Sequence, residues 1–150
     1  MIEPSLTGWR AQYDRLQRSH AHVVKPCRSS VEYVDDLHHF MQDCWHLKDW
    51  IKNDPETGLA TTIEKTVRAY KSLRIAADLA NGSKHLNRYT HEEGAYVTSI
   101  SVTAHLGQDK PVDVECVITL GDGTQTSAVS VVRDAFADWN TILLAAGLVS

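Results

Sequence analysis

No sign of charge dominates this chain of 150 residues, in which 15 Lys and Arg stand against 19 Asp and Glu for a formal net charge of −4. Without a global field to draw it toward phosphate backbones or anionic membranes, any nucleic-acid role must rest on a local patch. Cysteine is scarce: Cys27, Cys44 and Cys116 are odd in number and form no C-x-x-C pair. That spacing excludes a zinc knuckle or redox dithiol of that type and points to reduced, structural thiols in the cytoplasm. The longest apolar stretch, Ile142 to Val149, is far short of the ~20 residues that span a bilayer. Met1 to Leu16 carries Glu3, Arg10, Asp14 and Arg15 and no apolar segment of the secretory kind. A soluble, cytoplasmic protein with no membrane partner is the expectation. G-x-S-x-G, the P-loop, G-x-G-x-x-G and H-E-x-x-H are all missing, and no cofactor is expected.

What remains is the composition of an ordinary globular domain, 43% hydrophobic and 23% charged, with no low-complexity tract. Its length suits a single domain over 1–150, large enough to bury roughly 68 to 70% of its unfolded surface.

Leu6, Trp9, Tyr13, Leu16 and His20 recur at steps of 3 and 4, which predicts a first helix from about Ser5 to His22. Ser29 followed by Glu32 is a capping box, and the stripe Tyr33, Leu37, Phe40, Cys44, Leu47, Ile51 continues from it as a second helix. Asn53-Asp54-Pro55 ends that helix, because proline cannot continue it. A third helix opens on an Asp54 cap or a Thr61/Glu64 capping box, buries Ile63, Val67, Tyr70, Leu73, Ala77 and Ala80, and stops at Asn81-Gly82. The short connection predicts that the second and third helices form an antiparallel hairpin.

From Ala95 the period changes to 2. Tyr96 to Ala104 and Val112 to Leu120 alternate as half-buried strands, and Gly121-Asp122-Gly123 turns into a third strand, about Thr124 to Val132. Asp134 is the expected cap of a closing helix carrying Phe136, Trp139, Leu143 and Ala146. The fold class is therefore α+β: helical over 1–85, a three-stranded antiparallel β-meander over 95–132, and a closing helix over 134–146.

Two polar clusters are candidates for function. His39, Asp43, His46 and Asp49, at steps of 4, 3 and 3, share a face of the second helix. Imidazole and carboxylate are the ligand types of a zinc, manganese or iron site, but one helix seldom completes a coordination sphere, and a solvated polar face is the preferred reading. No metal is expected there. Asp78, Asn81, Lys84 and His85, beside Arg74, gather at the end of the third helix and the turn beyond it. Lys84 and His85 have a structural explanation in the helix dipole, and Asp78 with His85 an acid–base one. The hairpin separates the two clusters by ~18 Å within a monomer, at 1.5 Å per residue. Lys65, Arg68, Lys71 and Arg74 give the third helix a basic side, the one nucleic-acid-like signal, and a solvated face is preferred for it too.

The strings His46-Leu47-Lys48-Asp49-Trp50 and Asp78-Leu79-Ala80-Asn81-Gly82-Ser83-Lys84-His85 resemble those of a small family of uncharacterised bacterial proteins. Asn81-x-x-Lys84-His85 is also similar to part of the RNase motif of HEPN domains, with Ala80 where that motif carries its arginine. The resemblance implies a dimeric or RNA-facing relic; the missing arginine leaves no cation to stabilise the charge of the transition state. The resulting expectation is a binding or protein-interaction module that associates with a protein partner or itself. The alternative is a hydrolase or nuclease using one of the His/Asp clusters.

Overall fold

In the computed structural model, residues 7–25, 29–82, 94–103 and 113–150 are described. Cys27, Lys84 and His85 lie outside them. The first helix, α1 (Gly8–Val23), buries Trp9, Leu16 and Val23 along one side. The second, α2 (Ser30–Asn53), opens on the expected cap, with Ser29 Oγ accepting from the Glu32 N–H at 3.1 Å. Every residue of its expected stripe is buried, and Met41, Trp45 and Lys48 widen the buried surface beyond that stripe. α2 is the central helix, packed against α1 and the later helices.

Asp54-Pro55 ends α2 as expected. The Asp54 carboxylate then caps a 3-10 turn, Pro55–Thr57, by accepting from the Glu56 N–H at 3.0 Å. The Thr57 hydroxyl reaches back to the Ile51 carbonyl at 2.9 Å, beside the Asp54 N–H that bonds to the same carbonyl at 3.3 Å, and so closes the end of α2.

The single third helix of the sequence reading is two helices, α3 (Ile63–Arg68) and α4 (Lys71–Gly82). No proline or glycine breaks them. At the break the Ala69 and Tyr70 N–H groups bond to the Thr66 and Val67 carbonyls at 3.2 and 3.1 Å, the tighter i to i−3 pattern that ends α3. The Tyr70 carbonyl starts α4 by accepting from Leu73 and Arg74 N–H groups, and Arg74 Nη1 donates to the Arg68 carbonyl at 2.7 Å.

The sheet has the order β1-β2-β3 and is antiparallel, with β1 at Tyr96–Thr103, β2 at Asp113–Thr119 and β3 at Gln125–Ser127. The expected Gly-Asp-Gly turn joins β2 to β3, with Gly123 at φ +87° and the Leu120 N–H donating to the Thr124 carbonyl at 2.9 Å. Gly94, at φ +64°, lies so close to the turn that a Cβ there would sit 2.8 Å from Gly121 Cα.

The third strand is much shorter than expected, and the closing helix α5 (Ala128–Ala145) begins six residues before Asp134. The cap is Ser127, whose Oγ accepts from the Ser130 N–H at 3.2 Å, while Asp134 is an exposed residue inside the helix. Val129, Val131 and Val132 favour strands locally, yet the buried positions Ala128, Val131, Val132, Ala135, Trp139, Ile142 and Leu143 follow the helical period. α5 packs on β2 and β3, and α4 on β1. Cys116, Ile118 and Leu120 face this helical layer from the sheet, and Trp139 Nε1 donates to the Cys44 carbonyl at 2.8 Å, tying α5 to α2.

Candidate functional site

The face of α2 bearing His39, Asp43, His46 and Asp49 lies partly under α1. The Ser19 hydroxyl donates to the Asp43 carboxylate. Gln12, itself buried, donates through Nε2 to the Asp43 carbonyl at 3.1 Å and to its carboxylate at 3.4 Å. Asp43 is thus the centre of a polar seam between helices rather than a free ligand. His39 is exposed and His46 half-buried, and Asp49 pairs with Lys48 Nζ at 2.9 Å. Among the described residues no three His, Cys, Asp or Glu side chains converge in a way that would hold a metal.

At the second cluster Asp78 is 3% exposed, and its Oδ2 accepts the Ala95 N–H at 3.1 Å in the interior. The carboxylate therefore fastens the end of α4 to the chain entering β1. Asn81 is half-buried on the last turn of α4. The basic series is divided between two helices, with Lys65 and Arg68 on α3 and Lys71 and Arg74 on α4. Arg68 also lies over the Trp45 ring at 5.5 Å, near Glu64.

Lys48 and Asp54 make contacts that the sequence pattern does not mark. Lys48, only 7% exposed, places Nζ 2.9 Å from both Asp49 and Glu64 and 4.4 Å from the Trp45 ring centre. A lysine between Leu47 and Asp49, three residues after Trp45, is the local hint of this. Asp54 accepts from two N–H groups at once, those of Glu56 and, through Oδ2 at 3.0 Å, Trp9. Beside it opens a groove of about 690 Å³ lined by Trp9, Arg10, Asp49, Trp50, Asp54 and Glu56. Arg10 stands over the Trp9 ring and Arg15 over that of Trp50. Its charged groups are already engaged at Asp49 and Asp54, so the groove offers aromatic and mixed-charge contact rather than an acid–base pair.

Burial pushes the Cys44 thiol far above its usual range, which leaves it an inert core side chain. Burial also lowers the pKa of His20, whose ring stacks on Phe136 with centroids 3.9 Å apart. Burial, and secondarily the charge of Asp14, raises that of Tyr13, whose hydroxyl donates to Asn140 at 2.7 Å.

Fold and polar residues together define an α+β domain, a helical layer over a three-stranded antiparallel sheet, whose central carboxylates Asp43, Asp54 and Asp78 are used to join its elements. No family model, no curated protein and no solved structure matches the chain.

Proposed function

We propose that this chain is an interaction module that assembles with itself. The observation that carries this reading is the edge of its sheet. β1 is eight residues long, and among the described residues no strand pairs with its outer side. Tyr96-Val97-Thr98-Ser99-Ile100-Ser101-Val102-Thr103 has no charge, proline or glycine, the usual devices that keep such an edge from pairing with another chain. The rival reading, a hydrolase or nuclease built on Asp78 and His85, is less favoured because Asp78 is buried and accepts the Ala95 N–H, a bond that joins α4 to the chain entering β1. The rival metal-dependent reading needs Asp43, which α1 engages. Cys44 and Cys116 are buried. No helix among the described residues is long and apolar enough to cross a membrane.

Sedimentation velocity over a hundredfold range of concentration tests the proposal. A mass twice the 16.7 kDa of the chain supports it, and a monomer at every concentration refutes it.

A further inference from the structure

No further inference is drawn: the strongest candidate, the groove of about 690 Å³ where the start of α1 meets the end of α2 and the 3-10 turn, has carboxylates already engaged at Asp49 and Asp54 and tryptophan rings already covered by Arg10 and Arg15, and nothing in the structure shows what fills it.

Discussion

The Trp9 N–H donates to Asp54 Oδ2 at 3.0 Å across 45 residues of sequence. Thr7, the residue at the cap position of α1, makes no side-chain cap bond to that helix. A carboxylate from the end of α2 therefore serves as the missing cap, and the same side chain starts the 3-10 turn through Glu56. Gly8 is part of the arrangement, since it lies at φ +76° and a Cβ on it would stand 2.8 Å from Asp54 Oδ2.

Asp54→Ala should therefore cost about 1–2 kcal/mol, the upper range for a lost cap. Gly8→Ala should cost about 1–2 kcal/mol from its left-handed backbone alone. The double variant should lose less than the sum, because the added methyl already displaces the carboxylate. Urea denaturation of the three variants checks this, and full additivity would contradict the geometry.

Leu37 and Leu47 are 1% and 0% exposed in the stripe of α2. Truncating either to alanine should cost ~2–5 kcal/mol by the loss of buried methyl groups and the cavity left behind. A loss below about 1 kcal/mol for both, in the same denaturation assay, would be inconsistent with α2 as the central helix.

Asp78→Ala orphans the Ala95 N–H in the interior and should destabilise by about 1–3 kcal/mol. Asp78→Asn retains an acceptor and should lose less. Unchanged melting temperatures for both, together with a loss of dimerisation, would return Asp78 to a functional role.

His20 is stacked on Phe136 and lies 6.0 Å from Phe40 between ring centres. Burial lowers its pKa from 6.5, so the folded state takes up the proton less readily than the unfolded chain. Stability from this group is full above the unfolded pKa and falls as the pH drops below about 6.5. Thermal melts at pH 7.5 and 5.5 should show a larger fall for the wild type than for His20→Phe, and parallel falls would mean that His20 titrates without penalty.

The two candidate clusters changed meaning once their neighbours were known. Asp43 and Asp78 were legible as carboxylates at suggestive spacing. The donors that claim them, Ser19, Gln12 and the Ala95 N–H, come from other elements 17 to 31 residues away.

What the sequence determined by itself is local: the Ser29 cap, the Leu37-to-Ile51 stripe, the alternation of β1 and β2, and the Gly121-Asp122-Gly123 turn. Each depends on the chain's own periodicity and backbone preferences, so each can be read without knowing the neighbours. Tertiary structure decided the rest. Ala128 to Val132 became helix because burial against the sheet outweighed the strand preference of valine. Lys48 found Glu64 and Trp9 found Asp54 because folding brought them together. A sequence shows which donors and acceptors exist; which of them meet is set by the packing of whole elements, and burial makes those meetings obligatory.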